Sequence, residues 1–313
     1  MPNIIQRPND PFLYLFVMEE WYCYNPMDPP LGSGAMGTVY LGYRCSNGER
    51  VAIKSVNSSI ANNPSIRARA RQEASLAFRH PNLVEMIGCC EYLPTGGPMF
   101  LLSKFVEGED IDQYIQKFNT KADRVERICR LICSVLDALD YLHYRGVIHR
   151  DIKPSNIMVE NDGHVRLMDL GIARTGMNAE FTSQGFVGTL DYAAPEQIQR
   201  KEGTQVLINA ATDIYELGVT FYELLAGENP LASDTEVESM KNHLTKTLPP
   251  SAKIPTKLYR VILKATMKDQ KDRYQTALSF KQDIQQALIP DPTLLQRIIR
   301  SVEENPVVDW FRS

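Results

Sequence analysis

His149-Arg150-Asp151-Ile152-Lys153-Pro154-Ser155-Asn156 is the stretch that decides the reading of this chain. Within it stand a carboxylate, an ammonium two residues later and an amide five residues later. A carboxylate can accept a proton from an attacking hydroxyl, and an ammonium can neutralise a phosphate in transit. An amide oxygen can ligate a hard cation such as Mg²⁺. Asp151, Lys153 and Asn156 therefore carry the groups that phosphoryl transfer requires, since its catalysis is mostly positioning and charge neutralisation. Eight residues alone also fit a solvated polar turn, so the decision rests on what surrounds them.

Upstream, Gly32-Ser33-Gly34-Ala35-Met36-Gly37-Thr38-Val39 has glycines spaced so that backbone amides can approach phosphate oxygens without Cβ clashes. A hairpin turn explains the same spacing equally well. Val39–Gly42 and Val51-Ala52-Ile53-Lys54 read as the flanking strands. Pro26, Pro29 and Pro30 compromise a regular strand just before Leu31, because proline offers no ladder donor. Asn63-Pro64 reads as a helix start, and the helix runs to about Arg79. Its Glu73 is placed to pair with Lys54 and hold that ammonium over phosphates. Leu83–Gly88 and Met99–Phe105 read as two more strands. Val125, Ile128, Leu131, Ile132, Val135, Leu136, Leu139 and Leu142 then recur at helical steps, and Gly146 ends that helix.

Downstream, Ile157–Val159 and His164–Met168 read as a hairpin around Asn161-Asp162-Gly163. Asp169 follows thirteen residues after Asn156 and is a plausible second Mg²⁺ ligand. Residues 172–189 are polar and aperiodic. Asp213–Gly227 reads as a buried helix with Asp213 at its start, where it can cap. At the N-terminus, aromatic and β-branched residues in Phe12–Val17 and Trp21–Tyr24 suggest an extra strand or hairpin. In the tail, Leu294, Leu295, Ile298, Ile299 and Val302 form one helical face. It suits packing on the body of the protein, or docking to a partner.

Bulk properties narrow the partners. The 313 residues suffice for one large domain or two lobes sharing a cleft. A net charge of −4 gives no basic footprint for nucleic acid. No apolar run reaches membrane-span length. Cys23, Cys45, Cys89, Cys90, Cys129 and Cys133 lack metal-ligand spacing and fit free thiols in a reducing, cytoplasmic compartment.

The motifs together resemble the eukaryotic-type Ser/Thr protein kinases. The catalytic-loop stretch, the glycine run with Val-Ala-Ile-Lys54, Asp169-Leu170-Gly171 and Gly188–Glu196 come in the family's order over roughly residues 25–288. Gly34-Ala35-Met36-Gly37 and Tyr192–Ile198 are most similar to bacterial members. The resemblance implies an α+β bilobal fold, with a small β-rich lobe carrying one main helix and a larger, mostly helical lobe. It divides the chain into an N-terminal extension (1–24), a kinase domain (25–288; small lobe to about 104, large lobe from about 107) and a tail (289–313).

Transfer of the ATP γ-phosphoryl to protein hydroxyls is the implied activity. Asp151 would accept the hydroxyl proton, and Lys153 would stabilise the γ-phosphate. Lys54, held by Glu73, would grip the α- and β-phosphates. Asn156 and Asp169 would hold Mg²⁺, with Mn²⁺ as an alternative. Leu31, Gly32, Gly34 and Gly37 would cover the nucleotide, and Val39, Ala52 and Met158 would sandwich adenine. Lys104-Phe105-Val106 would be the hinge and Ser103 the residue guarding the back pocket. Leu170 stands where the family usually has Phe. Lys153, two residues after Asp151, implies Ser/Thr preference over Tyr. Asp213 would brace the catalytic loop, and Arg273 would pair with Glu196. Thr175, Thr182 and Ser183 are candidate phosphosites whose phosphate could meet Arg150, or else plain loop hydroxyls. The implied partner is a protein substrate, with a transient dimer for autophosphorylation; the sequence does not specify the oligomeric state. Two alternatives remain in view. A small-molecule kinase would lack a segment like Gly188–Glu196, and a scaffold pseudokinase would lack Lys54, Asp151 or Asp169.

Overall fold

The computed structural model describes residues 3–34, 37–62, 64, 67–68, 71, 78–91, 97–118, 120–169, 181–182, 185–186, 190–199 and 207–290. Two lobes meet at the stretch around Asp151.

The small lobe is an 8-stranded sheet. Its strands are β1 (Ile4–Gln6), β2 (Leu13–Val17), β3 (Glu20–Tyr24), β4 (Gly32–Gly34), β5 (Gly37–Arg44), β6 (Arg50–Val56), β7 (Met86–Glu91) and β8 (Met99–Lys104). The order is β1-β2-β3-β5-β6-β8-β7, and β4 pairs separately with β5. Asn25–Pro30 leaves the ladder between β3 and β4, where the prolines remove donors. Leu31 rejoins it, its N–H donating to the carbonyl of Val39 at 2.8 Å.

Side-chain alternation gives the sheet two apolar duties. One face supplies Leu15, Val17, Tyr22, Tyr24, Val51, Ile53, Cys90, Phe100 and Leu102 to a core of the small lobe's own. The sheet curls so that β2 meets β7, from the far end of the strand path. A Cβ on Gly88 would stand 2.6 Å from Cγ1 of Val17, and the thiol of Cys90 lies 3.3 Å from the carbonyl of Asn3. The first three strands thus form a wall of the core. The opposite face carries Val39, Ala52, Lys54 and Ser103, which share a side by register: Val39 pairs with Lys54, and Ala52 with Ser103.

After β6 comes a short helix α1 (Ser58–Ala61). The helix expected from Asn63 is seen at residues 64, 67, 68 and 71. Arg67, 2% exposed, binds the Glu91 carboxylate at 2.9 Å and the carbonyls of Ala61 and Gly97. Glu73 lies outside the described residues.

The large lobe is built on α3 (Lys121–Tyr144), preceded by α2 (Ile111–Ile115). The apolar stripe of α3 is buried, from Ile128 to Leu142. Gly146 terminates it at φ +72°, a conformation costly for any residue with a Cβ. Strands β9 (Gly108–Asp110), β10 (Ile157–Glu160) and β11 (Val165–Leu167) form a small sheet under the cleft. Helix α4 (Pro195–Ile198), the buried α5 (Ala210–Ala226), α6 (Glu236–Thr245), α7 (Thr256–Ala265) and α8 (Ala277–Leu288) complete the lobe. Asn209, not Asp213, caps α5: its side chain accepts from the N–H of Ala211 at 2.9 Å. Asp213 is the fourth residue of that helix and turns toward the catalytic stretch, so the capping expectation is corrected.

Leu15, on β2, is fully buried against β6 and β8 residues. Leu15→Ala is expected to cost about 3 kcal/mol. Amide exchange along β6 and β8 should accelerate; unchanged protection there would mean that the first strands are an ornament.

Candidate active site

The site begins with one buried carboxylate. Asp213 is fully buried. Its Oδ2 accepts the His149 N–H at 2.9 Å, and its Oδ1 accepts the Arg150 N–H at 2.7 Å. Nε2 of His143 lies 2.7 Å from Oδ2. Burial by itself would raise this carboxyl, but the His143 hydrogen bond, the nearby imidazoles and the Arg150 amide outweigh it and hold Asp213 below the usual carboxylate value. The two backbone bonds clamp the chain where Arg150 adopts φ +67°, a conformation that a non-glycine residue keeps only when its surroundings enforce it.

His149 is the second brace. Burial pushes its imidazole below its usual value, toward the neutral form. The neutral ring then has one acceptor and one donor. Nδ1 accepts the N–H of Asp151 at 3.3 Å, and Nε2–H donates to the Met168 carbonyl at 2.8 Å. One side chain thereby links Asp151 to the residue before Asp169.

Two further residues hold the loop that the sequence reading passed over. Glu216 accepts the N–H of Ile152 at 2.8 Å. Gln197 accepts the N–H of Ala194 at 2.6 Å and donates to the Arg150 carbonyl at 3.3 Å, tying α4 to the loop. The signal was available on α5. Asp213, Glu216 and Thr220 follow at three- and four-residue steps along an otherwise apolar helix, so they share one stripe. Thr220 completes it, its hydroxyl 3.4 Å from the Ile152 carbonyl.

On this frame the candidate residues converge. Nζ of Lys153 lies 3.4 Å from Oδ2 of Asp151. The amide NH₂ of Asn156 donates to the carbonyl of Asp151 at 2.8 Å, so oxygen is the amide's other polar atom. The Asn156 carbonyl receives the N–H of Met168 at 2.8 Å, which places Asn156 beside the strand end leading to Asp169. Asp169, at φ +46°, meets Lys54 directly, Nζ to Oδ2 at 2.8 Å. Lys54 stands on the sheet face shared by Val39, Ala52 and Ser103, so that face is turned to the large lobe. Met158 is half-buried on β10. Lys104 donates its N–H to the Glu85 carbonyl at 2.9 Å and pairs its ammonium with the Glu85 carboxylate at 2.8 Å. Val106 is buried just beyond it.

Over the cleft, the glycines divide by role. A Cβ on Gly37 would come within 2.1 Å of the Ser55 carbonyl, so the hairpin itself demands glycine there. Among the described residues, and apart from their own chain neighbours, Gly32 and Gly34 have nothing within 4 Å of such a Cβ. Internal packing does not demand glycine at those two positions, and space beside a polar backbone is what a phosphate needs. Asp169 and Asn156 are hard oxygen donors, the kind Mg²⁺ selects.

Beside the loop, Glu196 and Arg273 form a buried two-pronged ion pair, both contacts at 2.8 Å, with the Thr212 hydroxyl on the same carboxylate. Leu190, Ala193 and Ile198 pack on Met240 and Leu244 of α6. The hydroxyl of Tyr192 donates to Glu223 at 2.6 Å. A firm platform therefore leads up to α4. Thr175 and Ser183 lie outside the described residues, as does Leu170; Thr182 is described only as backbone in a two-residue strand.

A protein-kinase domain model matches residues 27–288. A probable serine/threonine-protein kinase of Streptomyces coelicolor, SCO3848, is 32% identical over 277 residues, covering 85% of this chain and 40% of that protein. The serine/threonine-protein kinase PknB of Mycobacterium tuberculosis is 30% identical over 288 residues, covering 89% of this chain and 45% of that protein. The chain thus spans about two fifths of the length of these curated relatives. Among solved structures, the M. tuberculosis PknI kinase domain superposes with a TM-score of 0.61 at 26% identity, over 82% of this chain and 93% of that one. Among the described residues, no helix is long and apolar enough to cross a membrane.

Asp213→Asn removes the buried charge that three donors address, at a cost of roughly 3 kcal/mol near neutral pH. The folded carboxyl sits below its ordinary value of 3.8. Its contribution is therefore complete above that value and disappears as pH falls through the folded one. Urea unfolding should show the wild-type advantage at neutral pH and its shrinkage in acid. A difference that does not change with pH would remove the charge from the explanation.

Proposed function

The chain belongs to the protein kinase family, and from that premise we propose that it transfers the γ-phosphoryl group of ATP to serine and threonine hydroxyls of protein substrates. The observation that carries this reading is the Lys54–Asp169 contact, set against the Asp151–Lys153 pair and the Asn156 amide on one braced loop.

Family membership implies ATP and a divalent cation; the donor set favours Mg²⁺, with Mn²⁺ as the alternative. The bound cation would neutralise charge on the phosphates. Everything else falls to the chain's own side chains. Asp151 accepts the proton of the attacking hydroxyl and orients it. Lys153, beside it, offsets charge on the transferred group. Lys54 grips the inner phosphates, with Glu73 as its second partner. Asn156 and Asp169, at the two ends of the hairpin, would hold the cation through their side-chain oxygens. Gly32, Gly34 and Gly37 cover the phosphates beneath Leu31. Val39, Ala52 and Met158 enclose the base, and the backbone of Lys104–Val106 addresses its edge, with Ser103 behind. Catalysis is then chiefly positioning and electrostatics.

The same reading assigns residues 25–288 to the kinase domain, 1–24 to an extension and 289–313 to a tail. It keeps Thr175, Thr182 and Ser183 as autophosphorylation candidates in a transient dimer. It also places the chain in the cytoplasm, supported by six unbridged thiols. The firm platform ending at α4 favours a protein substrate over a small molecule.

Purified chain with Mg-ATP and a generic basic protein should incorporate phosphate on Ser and Thr. Asp151→Asn should lower the rate by at least about a hundredfold with the fold intact. Equal incorporation by the variant and the wild type would refute the assignment.

A further inference from the structure

Six thiols are present, and one of them is exposed: Cys45. Cys89, Cys90, Cys129 and Cys133 lie in apolar surroundings, and burial pushes each of them up, to about 11 or 12. A water-borne oxidant therefore meets Cys45 first.

Its nearest thiol partner is set by sheet register. Tyr22 faces Arg44 and Cys23 faces Tyr43. The next position pairs Trp21 with Cys45, and the N–H of Cys45 donates to the Trp21 carbonyl at 2.8 Å. Cys23 and Cys45 thus lie diagonally on one face of neighbouring strands. Diagonal partners in a flat ladder are about 7–8 Å apart between Cα atoms, slightly long for a disulfide. Strand twist alters the two diagonals unequally, and burial together with the neighbouring Cys45 thiol pushes the Cys23 thiol up, to about 12. Cys45 is also one residue past the end of β5, in a turn, where the backbone can yield.

We propose that Cys45 and Cys23 form an oxidation site, closing a reversible disulfide that staples the base of the glycine-rich hairpin. The bridge would enclose residues 24–44, and hence Gly32, Gly34, Gly37 and the Asn25–Pro30 excursion.

The chemistry balances with a hydroperoxide as oxidant. The Cys45 thiolate attacks one peroxide oxygen; an S–O bond forms, the O–O bond breaks, and the departing alkoxide or hydroxide takes a proton. The Cys45 sulfur is now a sulfenic acid, oxidised by two electrons. The Cys23 sulfur attacks it, the S–S bond forms, the S–O bond breaks, and hydroxide leaves with the Cys23 proton as water. Two thiols and one hydroperoxide give one disulfide, one alcohol or water, and one water. A thiol reductant reverses the bridge.

The bridge would act on the nucleotide through entropy. A hairpin held at its base has less freedom to lose when it closes over phosphates, so binding costs less. This consequence rests on the kinase reading; the oxidation site does not.

The test treats the full chain with hydrogen peroxide, blocks remaining thiols and maps the peptides. The expected product is a linked Cys23–Cys45 peptide pair lighter by two hydrogens, absent in Cys45→Ser. Cys23→Ser should instead accumulate a sulfenic acid on Cys45, trapped by dimedone. Oxidised wild type should show an ATP KM lowered about threefold with kcat unchanged, as expected of preorganisation. Reductant should restore the KM, and Cys45→Ser should show no change. Cys23 remaining alkylatable after treatment, or bridging elsewhere, would overturn the site. A bridge with unaltered KM would overturn the staple. A chain that bridges but transfers no phosphate in either state would refute the kinase reading and leave the oxidation site standing.

Discussion

A single carboxylate in the middle of the large lobe sets the geometry of everything above it. Asp213 has no water to solvate it, so its charge must be met by the protein. It is met by two consecutive backbone amides and an imidazole. Neither partner is stable alone: the charge would be costly without donors, and the chain would not hold Arg150 at positive φ without the charge. Together they fix the loop that carries Asp151. His149, held in that clamp, passes the constraint across to Met168 and so to Asp169. The two acidic residues of the cleft are thereby referred to one point in the core.

The stripe on α5 extends the same logic. Asp213 and Glu216 accept the backbone N–H groups of His149, Arg150 and Ile152, and Thr220 donates to the Ile152 carbonyl. A helix buried nearly throughout its length turns these three polar positions to one short loop. The Glu196–Arg273 pair does similar work for α4, and Gln197 joins the two regions. Platform and loop are both tied to α5, through Thr212 on Glu196 and Glu223 on Tyr192 on one side and Asp213 and Glu216 on the other.

Much of this was legible beforehand. Asp151, Lys153, Asn156, Asp169 and Lys54 stand out in the sequence by type and spacing, and the structure sets Lys153 beside Asp151 and Lys54 beside Asp169. The apolar period of α3 and its glycine stop were equally plain. Residues acting through backbone groups were harder to see. Glu216 and Gln197 accept ordinary amide hydrogens, which leave no mark on the partner's identity. Of the two expectations for Asp213, the cap falls to Asn209, while the brace on the catalytic loop implied by the family resemblance is what the structure shows. The helix after α1 was expected from a cap–proline signal at Asn63, and Glu73 within it lies beyond the described residues.

The curled small lobe has one more consequence. Its core draws Leu15, Val17, Tyr22 and Tyr24 from ahead of residue 27, where the family match starts. Similarity and cohesion therefore place the start of this lobe at different residues. A chain trimmed to the first would leave Val51, Ile53, Phe100 and Leu102 facing water on the outer side of the sheet. What resembles an appendage by descent is, by packing, a wall of the lobe, and the inherited motif set here is smaller than the object that folds.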